Sequence, residues 1–244
     1  MPDSCFADRL GDLTDLTANE RTALARLEER SRELRRGAIL LRENDPFAEL
    51  FILKRGMAMS YVLLDDGSRQ ILRFLFAGDM LALSSLAYRN SPETIVALTD
   101  CTVCPFDRSL IATLYTEHPR LAALIMVTNQ MVKVALTDRL AALGRTSAKA
   151  RIAALLLNIR NRMRRVDSRI AQTFTLGLTQ EEIGDATGLT AVHVNRMLRQ
   201  LEEEQLVVRE SGRVTFINEP SLSRVANFVD RLNGLDLRWL PEGR

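Results

Sequence analysis

Five side chains close together in the chain have the chemistry to read nucleic-acid bases: Val192, His193, Asn195, Arg196 and Arg199. An arginine offers a flat fork of donors that fits guanine O6 and N7. Histidine and asparagine donate or accept at base edges. Valine suits a thymine methyl but cannot accept from cytosine N4. Val192, His193, Asn195 and Arg196 are therefore the candidate base-reading residues. Thr179, Thr190, Arg199 and Arg213 carry the hydroxyl and guanidinium groups that meet phosphate oxygens. None of this is bond-making chemistry; the partner it suits is double-stranded DNA.

These groups need a rigid carrier, and the stretch LGLTQEEIGDATGLTAVHVNRMLRQLEEEQLVVRESGRVTFIN at 176–218 supplies one. Thr179 followed by Glu182 forms a capping box that starts a helix over about Gln180–Thr187. Gly184 is small where a second helix must cross closely, and Gly188 gives the left-handed residue that ends the first helix. Thr190 caps a second helix running to about Glu204. Ile183, Leu189, Val194, Leu198 and Leu201 are spaced to share one buried face, and the opposite face of the second helix shows Ala191, Val192, His193, Asn195, Arg196 and Arg199. The runs 206–209 and 214–217, joined through Ser211-Gly212, read as a two-stranded wing. A helix–turn–helix of this form lays its second helix in the major groove.

Catalysis finds little support. No GxSxG, HExxH or P-loop occurs. A cupin-like enzyme, the catalytic reading for a small β-roll, needs several histidines and a carboxylate on a metal; the chain has two histidines, one of them His193. Three cysteines, an odd number, argue against a disulfide framework and fit a reducing cytoplasm. Cys101 and Cys104 are three apart, and on an alternating strand they face opposite ways. His118, before Pro119, reads as a surface residue. No metal site and no catalytic residue is expected.

The chain has 244 residues, enough for one large or two modest domains. Its sequence has no run of 18 apolar residues and no basic-then-apolar leader, so no membrane partner is expected and the location is read as cytoplasmic. Net charge is only +2, but its distribution is uneven: 17 Lys and Arg against 12 Asp and Glu from Arg139 onward, 16 against 19 before it. A basic half beside an acidic half suits DNA binding through one domain.

In order, residues 1 to about 18 read as a loosely held lead-in, and Asn19–Arg32 as a short amphipathic helix carrying Leu24 and Leu27. From Gly37 short apolar runs at 39–41, 50–53, 57–64, 70–76, 94–98 and 102–106 alternate with glycine and aspartate turns, the pattern of a β-roll or jelly roll. Pro119 opens a long helix over about 120–143. Leu121, Leu124, Thr128, Met131 and Ala135 form an apolar face expected to make a homodimer seam. Gly144 and Ser147 mark a hinge, Ala148–Arg165 is a further helix, and 221–240 a weak amphipathic one. The expected fold is α+β: a β-roll sensor domain at 19–118, a dimerisation helix at 119–143, a winged helix–turn–helix at 147–220 and a C-terminal extension at 221–244.

This order of elements resembles the Crp/Fnr family of bacterial transcription regulators. The most specific stretches are GDMLALSS at 78–85, DRLAALGRTSAKARIAALLL at 138–157 and LTQEEIGDATGLTAVHVNRMLRQLEEEQLV at 178–207. The resemblance implies a homodimer on a palindromic operator, an effector sensed in the β-roll, RNA polymerase as a partner of an activator, and Arg196 in the place of the family's guanine-reading arginine. Two departures bear on the effector. Members that bind cyclic AMP carry Gly-Glu where this chain has Ala82-Leu83, and Arg-Ser near Ser91-Pro92; a buried phosphate without its arginine is uncompensated. Fnr-type sensors hold a four-iron cluster on four cysteines, three near the N-terminus, where this chain has Cys5 alone. Neither cyclic AMP nor an iron–sulfur cluster is expected. Val192 stands where the family's usual glutamate would be, so the operator should depart from the common consensus. The alternative reading keeps the β-roll as an interaction module in a constitutive, ligand-independent dimer.

Overall fold

The computed structural model describes residues 4–242. They form two compact units. The first holds the residues up to Val62, Arg73–Lys133 and those from Asp236 on; the second holds Leu63–Leu72 and Val134–Leu235. These boundaries do not follow the linear division expected from the sequence: a hairpin tip, the end of the long helix and the last residues change sides.

The first unit opens with helices α1 (Cys5–Gly11) and α2 (Ala18–Ala25), continued by a 3-10 turn at Arg26–Glu28. From Ser4 on the lead-in is therefore ordered, contrary to expectation. Ser4 caps α1, and the buried Glu28 carboxylate accepts from the Phe6 amide at 3.0 Å and the Ser4 hydroxyl at 2.7 Å. A carboxylate at a helix start satisfies amides that have no partner within the helix. The helix expected to reach Arg32 stops early, because the chain turns into strand β1 (Arg32–Leu34).

Seven more strands follow: β2 (Ile39–Leu41), β3 (Glu49–Arg55), β4 (Met57–Leu63), β5 (Arg69–Phe76), β6 (Met80–Leu81), β7 (Thr94–Ala97) and β8 (Cys101–Asp107). They make two four-stranded sheets, in orders β1-β8-β3-β6 and β2-β7-β4-β5. Period-two alternation divides β3 and β8 between two cores. Leu50, Ile52, Cys104 and Phe106 face one cluster with α1 and α2, while Phe51, Leu53, Cys101 and Val103 fill the interior between the sheets. Cys101 and Cys104 thus point to opposite faces, as their spacing implies.

Helix α3 (Arg108–Glu117) leads into α4 (Pro119–Arg145). Proline at the first position suits a helix start. Leu121, Ala122, Leu124, Ile125 and Val127 are buried, and Leu121, Leu124 and Ile125 join the core shared with α1 and α2. By length and composition α4 is apolar enough to cross a membrane. That burial accounts for its first turns, and Asn129, Gln130 and Lys133 interrupt the rest.

The second unit contains α5 (Ala148–Val166), β9 (Thr173–Thr175), α6 (Gln180–Thr187), α7 (Ala191–Glu203), β10 (Val207–Glu210), β11 (Arg213–Phe216) and α8 (Glu219–Ala226). The wing has three strands, not two: β9 pairs with β11, and Thr173 and Thr215 share a hydroxyl hydrogen bond at 2.9 Å. Phe174 and Phe216 meet edge to face at 5.4 Å. The guanidinium of buried Arg160 lies 5.0 Å from the Phe216 ring centroid and pairs with Glu219. The last helix is shorter than expected. Asn218 caps α8, and Asn227 leaves it in a left-handed conformation, so helix does not extend to Leu240.

Candidate nucleic-acid interface

Helices α6 and α7 are held together by local chemistry. Thr179 Oγ accepts from the Glu182 amide at 3.1 Å while the Glu182 carboxylate accepts from the Thr179 amide at 2.7 Å. Gly188 has φ 66° and ends α6 in the left-handed region, where a side chain would be strained. Leu189 N donates to Gly184 O at 3.0 Å, so the turn folds directly over Gly184. A β-carbon there would lie 2.3 Å from Leu189 O. Thr190 then caps α7 by accepting from the His193 amide at 3.3 Å.

The C-terminal carbonyls of α6 are satisfied from outside the motif. Gln70 Nε2 donates to Asp185 O at 2.7 Å, Arg139 donates to Ala186 O, and Arg151 Nη1 donates to Thr187 O at 2.8 Å. Arg139 also reaches the carbonyls of Ile71 and Leu72. Burial pushes its guanidinium down to about 10, which leaves it charged at neutral pH. Two cations at the negative end of a helix complement its dipole. Nothing in the local sequence announces these caps, because each donor is far from α6 along the chain. The same holds for β9.

One side of α7 is packed: Val194, Met197, Leu198 and Leu201 are buried. Met197 was not among the expected core residues, and Leu189 is half-buried. The other side is open. Val192, Arg196 and Arg199 are exposed, with His193 and Asn195 half-buried beside them. Residues three and four apart on a helix are neighbours, so Val192, Asn195, Arg196 and Arg199 form one continuous surface. Among the described residues the Arg196 side chain makes no hydrogen bond or ion pair, and neither does the side chain of Arg213 at the start of β11. Arg199 has Glu202 within electrostatic reach. Thr179 and Thr190 are exposed at the starts of α6 and α7; each uses a lone pair as a cap and keeps its hydroxyl proton. Glu202 fixes the wing to α7 by accepting from Arg209 Nη2 at 2.7 Å and from the Arg209 amide at 3.2 Å. The hydrogen bond from Arg209 holds the Glu202 carboxyl below its ordinary value.

The seam residues are not brought together on one open surface. Leu121 and Leu124 are wholly buried in their own unit and cannot meet a second chain. Thr128 and Met131 are half-buried, and Ala135 is exposed. The exposed large apolar side chains of α4 are Met126, Val134, Leu136 and Leu140. The stripe centred on Leu121 and Leu124 is the inward face; Met126 and Leu140 lie on the other.

Comparison with known proteins matches two stretches of the chain. Residues 31–118 match the family model of the cyclic nucleotide-binding domain, and 150–225 match that of the Crp-like helix-turn-helix domain. The transcriptional activatory protein AadR of Rhodopseudomonas palustris is 31% identical over 173 residues, covering 69% of this chain and 70% of that protein. The chain belongs to the Crp/Fnr family of transcription regulators. A second Crp/Fnr relative, the transcriptional activator protein Anr of Pseudomonas aeruginosa, is 28% identical over 86% of each chain. The structure of FixK2 from Bradyrhizobium japonicum superimposes with a TM-score of 0.72 at 24% identity, over 82% of this chain and 98% of that one. As a Crp/Fnr member the protein is a DNA-binding transcription regulator and not an enzyme, and α6–α7 is its helix–turn–helix.

Proposed function

We propose that this regulator works in the cytoplasm as a homodimer on a palindromic operator, with α7 of each protomer in a major groove. The observation that carries the reading is the division of α7: one side fully packed, the other presenting Arg196, uncommitted and exposed, among residues able to reach base edges. Thr179, Thr190, Arg199 and Arg213 then hold phosphates. The seam we assign is the exposed side of α4. Met126 and Leu140 are two heptads apart, with Lys133 midway and Val134 and Leu136 flanking, which suits a two-stranded coiled coil. AadR and Anr are named as activators, which supports RNA polymerase as a further partner.

The β-roll does not fit a cyclic nucleotide. Ala82 and Leu83 carry no hydrogen-bonding side chain. The buried Ser91 hydroxyl already donates to Glu93 O at 2.6 Å. Arg73 is held by the Glu93 carboxylate at 2.8 Å, leaving no net positive charge in that pair for a phosphate. A four-iron cluster is equally ill served, since Cys101 faces a different core from Cys104. The packed β-roll interior favours the ligand-independent dimer as the second reading. Selection of bound sequences from random DNA tests the proposal: it should return a palindrome with half-sites about ten base pairs apart centre to centre. An asymmetric site, or no enriched site, would sink it.

A further inference from the structure

The chain from 226 to 242 lies beyond the stretch matched by the Crp-like helix-turn-helix domain, yet it is anchored at two points. Asn227 turns it out of α8 in the left-handed region, and a 3-10 turn at Arg231–Gly234 follows. There the Arg231 guanidinium closes on Asp138 of α4, with Nε 3.0 Å from Oδ2 and Nη2 2.7 Å from Oδ1. Two parallel charge-assisted hydrogen bonds fix geometry as well as charge. Asp138 is the only acidic residue in the α4 sequence. Further on, Leu240 packs against the core cluster that also holds Leu121, Leu124 and Ile125 of α4. Both anchors therefore serve the same helix.

That helix has a weak stretch. Its first turns are buried as far as Val127, and Arg139 is held by the carbonyls of Ile71, Leu72 and Ala186. Between them every residue from Lys133 to Thr137 is exposed. In this stretch α4 passes from the first compact unit to the second, between Lys133 and Val134; the extension passes back between Leu235 and Asp236. A helical stretch with no buried face is marginal in water, and Val134 and Thr137 are β-branched, which weakens it further. Val134 and Leu136 nonetheless belong to the seam assigned above.

We infer that the C-terminal extension is a clasp on α4. Arg231 pins the helix just after its exposed stretch, and Leu240 seats on the core that holds the helix before it. Together they keep 133–137 helical in the single protomer, so that the seam is already formed when two protomers meet. Ordering a surface before association raises affinity, because binding no longer has to order it. The clasp does not obstruct the seam. In the heptad that places Met126, Lys133 and Leu140 at position a, Asp138 falls at f, on the far side of the helix. The inference rests on the proposed α4 seam.

The test compares the full-length protein with a chain ending at Val229, with Arg231→Asp, and with the charge-exchanged pair Asp138→Arg and Arg231→Asp. Two quantities are read: amide exchange across 133–137, and the dimer dissociation constant by sedimentation. The shortened chain should exchange faster there and dimerise about tenfold more weakly, having lost the Leu240 contact and the ion pair. Arg231→Asp alone should weaken dimerisation about fivefold, as for an exposed pair turned repulsive. The charge-exchanged pair should recover wild-type values, which a general loss of stability would not allow. Trp239, the only tryptophan in the chain, adjoins Leu240 and reports its seating. Its fluorescence anisotropy should fall in Arg231→Asp and recover in the exchanged pair. If the shortened chain folds poorly, the two charge variants decide alone. Unchanged amide exchange across 133–137 in Arg231→Asp overturns the clasp, whatever the oligomeric state. Faster exchange with undiminished dimerisation overturns its link to the seam. A wild type that never dimerises overturns the seam reading, while amide exchange still judges the clasp.

Discussion

The Arg69 guanidinium closes on Asp185 Oδ2 with two donors, Nε at 2.8 Å and Nη2 at 2.7 Å. Arg69 begins β5 and Asp185 lies in α6, and both belong to the second unit. Beside them Gln70 caps the Asp185 carbonyl, and Arg139 bridges Ile71, Leu72 and Ala186. The hairpin tip, the end of α4 and the first helix of the helix–turn–helix therefore share one hydrogen-bonded network. The two charged side chains are only 29% and 28% exposed, and both hydrogen bonds are charge-assisted.

Arg69→Ala and Asp185→Ala should each lower the thermal midpoint, and the double variant should be little worse than either. The coupling in a double-mutant cycle should be about 1 kcal/mol. Strictly additive effects would mean that the pair contributes nothing as a pair.

A second prediction concerns Gly184. Alanine in a helix interior ordinarily stabilises by about 1 kcal/mol over glycine. Here its β-carbon would lie 2.3 Å from a backbone oxygen of the turn, and backbone cannot swing aside as a side chain can. Gly184→Ala should destabilise by about 2 kcal/mol or more, measured by chemical denaturation, and should weaken operator binding. A variant as stable as wild type would show that α6 and α7 separate more readily than the packing implies.

The helix–turn–helix was legible in the sequence because its determinants are local. Thr179 with Glu182, the left-handed Gly188 and the Thr190 cap all act within four residues of where they stand. The β-roll strands were legible for the same reason, through alternation and turn residues. What escaped was non-local. Glu28 orders α1 from more than twenty residues away, β9 joins the wing through β11, and Gln70, Arg139 and Arg151 cap a helix with which they share no stretch of sequence. The α4 seam failed differently. An apolar stripe looks the same whether it faces its own core or a partner, and the stronger stripe, Leu121 and Leu124, serves the core.

That correction makes a third prediction. Leu140, 72% exposed on α4, should tolerate Leu140→Glu as a folded chain while sedimentation shows weakened dimerisation and operator affinity falls with it. Leu124→Glu buries a charge and should instead unfold the first unit. A Leu140→Glu chain that sediments as wild type would move the seam elsewhere.

The Glu202–Arg209 contact predicts a pH dependence. The Glu202 carboxyl is held below its ordinary value by the Arg209 hydrogen bond, so the folded state binds its proton less readily than the unfolded chain. The stabilisation is present above the unfolded value, about 4.3, and is lost as pH falls through the lower folded one. The stability advantage of wild type over Glu202→Gln should therefore hold at neutral pH and shrink below about pH 4, with faster amide exchange at Arg209. An advantage independent of pH would assign the contact to packing rather than charge.

The last prediction separates two arginines one turn apart. Arg196 is exposed on α7, opposite buried Val194 and Leu198, with no partner to hold it among the described residues. Its reach suits guanine O6 and N7, and a bidentate contact contributes about 1–3 kcal/mol of discrimination. Arg199 lies nearer the C-terminal end of the helix, within reach of Glu202, where the helix leaves the groove and phosphate is the nearer target. The two should fail differently. Arg196→Ala should weaken operator binding strongly and relax the preference at one symmetric base pair, with scrambled DNA little affected. Arg199→Ala should weaken both DNAs alike and lower the slope of log affinity against log salt by about one. Titrations of both variants on operator and scrambled duplex at several salt concentrations decide the matter. If Arg196→Ala reduces both affinities equally and leaves the sequence preference untouched, Arg196 is a phosphate contact and the base reading belongs to Val192, His193 and Asn195 alone.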